Sequence, residues 1–249
     1  IYREYIQNAL DSINAAARKG ILSKVKDGNV SVSINRQERE VRIEDNGQGI
    51  PTEEVAARLL NIADSPKDGI SAAGQFGIGR LVGAGYCRRL VFETSVKGEK
   101  IKTRLELDVD FVENVLRDSS NDSSANELMD AATQLKRSAE KEEAHYFKVF
   151  LEDIKPDYDQ LLDEELVTDY LKEVAPIDFS LPFKSRYYNA IEEEYKPYSN
   201  GLSYVNISVN QQNDIRKRYG LTIEGTEDTI EELECFINKD DKYGELAWG

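Results

Sequence analysis

Hydrophobic and polar positions along the chain change period several times, and each change marks an element. In "EYIQNALDSI" (residues 4–13), Ile6, Ala9, Leu10 and Ile13 recur at helical spacing. At about 100° per residue, Glu4, Asn8 and Asp11 fall within one arc of roughly 60°, so the helix carries a polar face. That face fits two readings: a solvated surface, or carboxylates and a carboxamide looking into a pocket. "NVSVSINRQEREVRIEDNG" alternates with period two on either side of Asn35–Glu38, which predicts two strands and a turn. "TEEVAARLLNIA", with Thr52 as expected N-cap and Val55, Leu59 and Ile62 in register, predicts a second helix. A glycine-rich passage runs from Gly69 to Gly85.

Further on, "RRLVFETSV" and "KIKTRLELDV" predict paired strands. Residues 118–144 are polar and predict a loop, then a helix with Leu128, Ala132 and Leu135 on one side. "YFKVFLEDI" predicts a strand, and "YDQLLDEELVTDYLKEVAP" a helix stopped near Pro176. From about Leu181 the texture shifts toward aromatics, with Pro182 and Pro197, and "LSYVNISVN" then predicts a new strand. The expected organisation is an α/β domain over residues 1–180, with 118–144 as a polar insert, and a truncated second α/β unit over 181–249.

Composition narrows the function classes. The 249 residues are 40% hydrophobic and 32% charged, which describes a soluble globular protein with a sizeable core. A net charge of −15 argues against general binding to a nucleic-acid backbone, which needs clustered Lys and Arg. No apolar run reaches the roughly 20 residues of a membrane helix, and no secretory leader is visible. The chain opens on Ile1 inside helical periodicity, so a fragment is expected. Cys87 and Cys235 cannot build a disulfide framework and suit a reducing, cytoplasmic compartment. His145, the single histidine, removes most zinc sites and Ser-His arrangements; at a strand entry it is expected to be structural.

Two stretches add chemistry. "EDNGQGIP" (44–51) closes the second strand with Asp45 beside Gly47 and Gly49, a turn open enough for close approach to a ligand. A carboxylate there can accept a hydrogen bond from an exocyclic amine, although D-x-G-x-G is also an ordinary turn. "GQFGIGR" (74–80) can aim backbone N–H groups at phosphates, and a helix starting near Gly79 would add its dipole. It matches neither a Walker loop nor a dinucleotide fingerprint.

Taken in order, the three stretches are far more specific than any one. Glu-x-x-x-Asn-x-x-Asp on a helix, then D-x-G-x-G, then G-x-x-G-x-G resembles the GHKL ATPases. That superfamily takes in gyrase, the ninety-kilodalton heat-shock chaperone, histidine kinases and mismatch-repair ATPases. The resemblance covers roughly residues 1–180. It implies a Bergerat-type two-layer α/β sandwich, with a mixed, mostly antiparallel sheet under helices. It also implies binding of ATP and ADP with Mg²⁺, and slow hydrolysis driving a lid and domain cycle. Glu4 would be the general base, Asn8 the Mg²⁺ ligand, Asp11 a pocket wall and Asp45 the reader of the adenine amine. Gly47 and Gly49 would shape the turn. A lid over Asp64–Arg80 would bring Gly74, Gln75, Phe76, Gly77, Ile78, Gly79 and Arg80 to the phosphates.

Within the superfamily, "GQFGIGR" is nearest the chaperone-like branch, and no phosphoacceptor histidine of a kinase is visible upstream. The chain departs from the chaperone in two places. The late pocket strand, "AHYFKVFLEDI", offers no threonine, and the lysine expected after the second helix falls in "ADSPK". Ser65 and Lys67 either take over a phosphate contact or are ordinary loop residues. Relatives often dimerise, and in them a Lys or Arg from the following domain completes the site. Here the cationic candidates are Arg216, Lys217 and Arg218. Two other functions stay open: a nucleotide-binding regulatory module without turnover, and a DNA-maintenance ATPase of the mismatch-repair or gyrase type.

Overall fold

The computed structural model describes residues 1–60, 78–118, 122, 124–179, 204–212, 215–217, 236–240 and 244–248. Helix α1, Tyr2–Arg18, holds Glu4 in its first turn and Arg18 in its last, both favourable to the helix dipole. Its buried stripe is Tyr2, Tyr5, Ile6, Ala9, Leu10, Ile13 and Ala16. Gly20, at φ 69°, turns the chain out of the helix, and the Ile21 N–H closes back on the Ala16 carbonyl.

Strands β1 (Asn29–Asn35), β2 (Glu40–Asp45), β3 (Cys87–Ser95), β4 (Ile101–Asp108), β5 (Thr133–Ala139), β6 (Tyr146–Ile154) and β7 (Asn206–Val209) form one sheet. Their order is β5-β4-β3-β6-β2-β1-β7. Every neighbouring pair is antiparallel except β1 with β7, which makes the sheet mixed. Helices α2 (Val55–Leu60), α3 (Val109–Arg117), α4 (Ala125–Ala132) and α5 (Glu164–Val174) complete the domain with α1. The fold is a two-layer α/β sandwich. The core runs from the α1 stripe through Val30, Val32, Val41 and Ile43 to Leu90, Phe92, Leu105, Val149 and Leu151.

The other sheet face is charged and ordered by register. Glu44 faces Lys148, Lys148 faces Glu93, and Glu93 faces Arg104 across β2, β6, β3 and β4. In the next row the Phe150 ring lies under both the Arg42 and the Arg104 guanidinium groups, 5.4 and 5.2 Å from its centroid.

Four elements differ from the sequence reading. The helix expected to carry Leu135 ends at Ala132, and Leu135 sits in β5 opposite Leu105. The open edge of β4 needs hydrogen-bond partners, and the alternation from Thr133 supplies them. The segment 118–144 is therefore part of the sheet as well as an insert. Thr52 does not cap α2. Its N–H and hydroxyl both go to the Glu99 carboxylate, and regular helix begins only at Val55. The long helix before Pro176 is two pieces, a 3₁₀ turn over Pro156–Leu162 and then α5. The side chain of Asp163 accepts from the Glu165 and Leu166 N–H groups and so restarts the helix. Finally, the strand in "LSYVNISVN" joins the large sheet as β7, because the unpaired edge of β1 accepts it with Ile207 and Val209 buried.

The chain divides into two compact units, Ile1–Asp178 with Ser203–Ile215, and Phe179–Leu202 with Arg216–Gly249. In the second, β8 (Phe236–Asp240) and β9 (Gly244–Trp248) form an antiparallel hairpin, and the Lys217 ammonium lies over the Phe179 ring. Among the described residues no helix is long and apolar enough to cross a membrane.

Candidate functional site

A cavity of about 720 Å³ opens beside α1, a size typical of small-molecule sites. Asn8, Asp11, Asp45, Gly49 and Arg80 all line it. The polar arc of α1 therefore looks into a cavity rather than only into solvent. Continuing that arc by whole turns reaches Ala15 and Arg18, which line the cavity as well. That periodicity was present in the sequence and would have found Arg18. Gln48, inside the Asp45–Gly49 turn, lines it too, as do Arg58 on α2 and Phe147 on β6; no spacing in the sequence connects the last two to α1.

Asp45 stands at the end of β2 and is 4% exposed. One of its oxygens accepts the Gly47 N–H at 2.8 Å, and the Ser12 side chain gives a second hydrogen bond. Burial dominates over these bonds and pushes its pKa up to about 7. The two glycines of the turn have packing reasons of their own. A Cβ on Gly47 would fall 2.1 Å from the Ser12 hydroxyl, and one on Gly49, at φ 70°, 2.1 Å from the Ser95 carbonyl. They let the turn nestle between α1 and β3 and so hold Asp45 at the cavity wall.

The late pocket strand lacks a threonine, as its sequence indicates. The residue paired with Asp45 on β6 is Phe147, whose ring stacks on Phe92. Thr94 lies across from Phe147 on β3, but its hydroxyl accepts the Ile50 N–H and donates to the Tyr146 carbonyl. His145 keeps a structural contact: its Nδ1 lies 2.9 Å from the Gly47 carbonyl and so carries the proton in that bond. It borders a second cavity of about 460 Å³ on the same turn.

Glu4 is exposed in the first turn of α1, outside the cavity lining proper. It faces a 3₁₀ turn, Ile78–Gly85, where a Cβ on Gly79 would stand 3.2 Å from its Oε2. Expected as the start of a helix, this segment is a tighter 3₁₀ turn. Arg80 donates from Nη1 to the Arg58 carbonyl at 2.6 Å. Burial and the neighbouring Arg58 charge lower its pKa, and no carboxylate is paired with it among the described residues. Ser65, Lys67, Gly74, Gln75, Phe76 and Gly77 lie outside the described residues, as does the expected lid except for its last part. Cys87 is buried and reduced, with burial pushing its thiol up to about 12; Cys235 is outside the described residues.

The sequence model of the family described as histidine kinase-, DNA gyrase B-, and HSP90-like ATPase matches residues 2–141, more than half of the chain. The chain belongs to this GHKL-type ATPase family. No curated protein matches the sequence closely enough to count as a relative. As a GHKL ATPase domain, the protein binds ATP, and the matched region contains α1, the Asp45 turn and the 78–85 segment together. Among the described residues no group of three or more His, Cys, Asp or Glu side chains is placed to hold a metal ion. The oxygen donors of the α1 face suit a hard cation that takes the rest of its ligands from phosphates.

Proposed function

We propose that the domain hydrolyses ATP slowly with Mg²⁺ and uses the nucleotide to drive a lid and domain cycle, in a chaperone-like or ATP-clamp role. The observation that carries this reading is the joint placement of Asp45, Asn8 and Arg80 on one cavity, with Glu4 beside Gly79, the residue before Arg80. Asp45 would accept from the adenine amine at the closed end. Asn8 would hold Mg²⁺ through its carboxamide oxygen, and the ion would neutralise phosphate charge. Arg80 would meet the phosphates. Glu4 is free of an ion-pair partner among the described residues, which suits a base that must take a proton from the attacking water. Asp11 would wall the pocket, and Asp64–Arg80, with Ser65, Lys67 and the glycines of 74–79, would close over the phosphates.

Residues 1–180 are proposed as the ATP-binding domain. Of the residues beyond, those outside β7 would begin a transducer-like unit that supplies a completing cation. A second reading, nucleotide binding without turnover, finds support in the exposure of Glu4. Titration calorimetry with ATP, ADP and GTP tests the assignment. We expect adenine nucleotides to bind in preference to GTP, and Asp45→Asn to weaken them by about tenfold or more. Equal affinity for ATP and GTP would overturn the adenine reading, and failure to hydrolyse bound ATP would favour the second.

A further inference from the structure

Tyr5 follows Glu4 on α1 and is 3% exposed; it is part of the buried stripe and also lines the cavity. Its hydroxyl makes two hydrogen bonds to one short stretch of backbone. It donates to the Arg80 carbonyl at 2.9 Å and accepts the Gly83 N–H at 3.0 Å. A Cβ on Gly83 would lie 2.6 Å from this oxygen, so only glycine lets the N–H come so near. Burial holds the phenol protonated well above its ordinary range, so the donor is always present.

The stretch it grips also packs Leu81, Val82 and Ala84 against the core, and the Gly83 carbonyl accepts from the Cys87 thiol at 3.3 Å. Tyr5, however, is the side chain that ties the Arg80 carbonyl and the Gly83 N–H to α1. Residues 78–85 form a 3₁₀ turn, whose hydrogen bonds are poorer than those of an α-helix. Arg80 is thus held at two points: its carbonyl by Tyr5 and its guanidinium by the Arg58 carbonyl, 2.6 Å from Nη1. Its side chain lines the cavity, with no carboxylate paired to it among the described residues. Tyr2 is an internal comparison. It is equally buried on the same helix, but its hydroxyl donates to the Leu161 carbonyl at 2.7 Å, outside the 78–85 turn.

We propose that Tyr5 is a positioning residue for triphosphate recognition: by clamping the 80–83 backbone to α1, it aims the Arg80 guanidinium at the terminal phosphate. This rests on reading the cavity as the nucleotide site. Removing the hydroxyl leaves the Arg80 carbonyl and the Gly83 N–H without their partner and frees the turn to shift. The diphosphate, which lacks the group Arg80 meets, is insensitive to that shift.

Calorimetry on the full chain with ADP and a non-hydrolysable ATP analogue reads this directly as the ratio of the two affinities. We expect Tyr5→Phe to lower the preference for the triphosphate roughly three- to tenfold while ADP affinity holds, the size of one or two lost hydrogen bonds. Gly83→Ala, which displaces the same hydroxyl, should act in the same direction. Tyr2→Phe should lower the thermal midpoint without moving the ratio. In an Arg80→Ala background, Tyr5→Phe should add nothing. An unchanged ratio in both Tyr5→Phe and Gly83→Ala, an equal change in Tyr2→Phe, or an additive loss with Arg80→Ala would each overturn the proposal. A parent protein that binds neither nucleotide would instead overturn the reading of the cavity itself.

Discussion

The two faces of the central sheet treat charge in opposite ways. On the open face charges are matched across strands: Lys148 lies 3.4 Å from Glu44 and 3.7 Å from Glu93, and Arg104 reaches Glu106 at 2.9 Å and Glu152 at 3.3 Å. Arg104, hydrogen-bonded to Glu106, holds that carboxyl below the usual range, as a satisfied pair should. On the helix-covered face, Asp45 is buried with hydrogen bonds but no cation, and Arg80 has no carboxylate paired with it among the described residues. Such unpaired charges beside a cavity, next to a face that pairs its charges so regularly, support the proposed nucleotide site.

That contrast breaks most sharply at Glu4. We expect Glu4→Ala to cut turnover by about 10²–10⁴-fold while nucleotide binding stays, the range of a general base. Glu93→Gln on the open face should leave turnover at the parent rate. Parent-like hydrolysis by Glu4→Ala, measured as phosphate release at saturating ATP, would place the base elsewhere.

Asp45 gives the next largest effect, through pH. A carboxylate accepts from an amine better than a neutral carboxyl does. Affinity for ADP should therefore rise as pH passes through about 7, by up to tenfold per unit below it, with a proton released on binding. Calorimetry in buffers of different ionisation enthalpy measures that proton. Without nucleotide the sign reverses for stability. The folded state binds this proton more tightly than the unfolded chain, so the contribution is full below about pH 4 and lost as pH rises through about 7. The amount is about 4 kcal/mol at most. Urea midpoints of Asp45→Asn should lack this fall.

The smallest effect belongs to the open face. Arg104→Ala removes a cation over Phe150 and partners of Glu106 and Glu152, and should cost about 1–2 kcal/mol, less at high salt. Nucleotide affinity should not change. If it does, the two faces are coupled and the contrast between them is too simple.

What the sequence revealed follows from the range of each interaction. The α1 stripe, the β1–β2 and β3–β4 hairpins and the Asp45 turn are specified by neighbours a few residues apart, and were legible as periods and glycines. Arg18 was equally legible by extending the α1 arc and was overlooked. Arg58 and Phe147 reach the cavity only because α2 and β6 pack there, which no local spacing encodes. Leu135 misled because its helical spacing from Leu128 and Ala132 competed with an open β4 edge 30 residues away, and strand pairing won. Thr52 misled because a carboxylate from Glu99, distant in sequence, took its N–H and hydroxyl away from capping.

The parallel pairing of β7 with β1 also bears on how the domain emerges from the ribosome. Asn210, just past β7, donates its side-chain amide to the Ile34 carbonyl and accepts the Ile34 N–H, 176 residues away. At roughly 5–20 residues per second, β1 waits on the order of 10–35 s for its last neighbour to be synthesised. Throughout that interval one edge of the nascent sheet presents bare N–H and C=O groups to any other strand in reach. The domain therefore acquires its Asp45 turn early and its protected edge late, a window in which a chaperone that shields extended edges would raise the yield of folded protein.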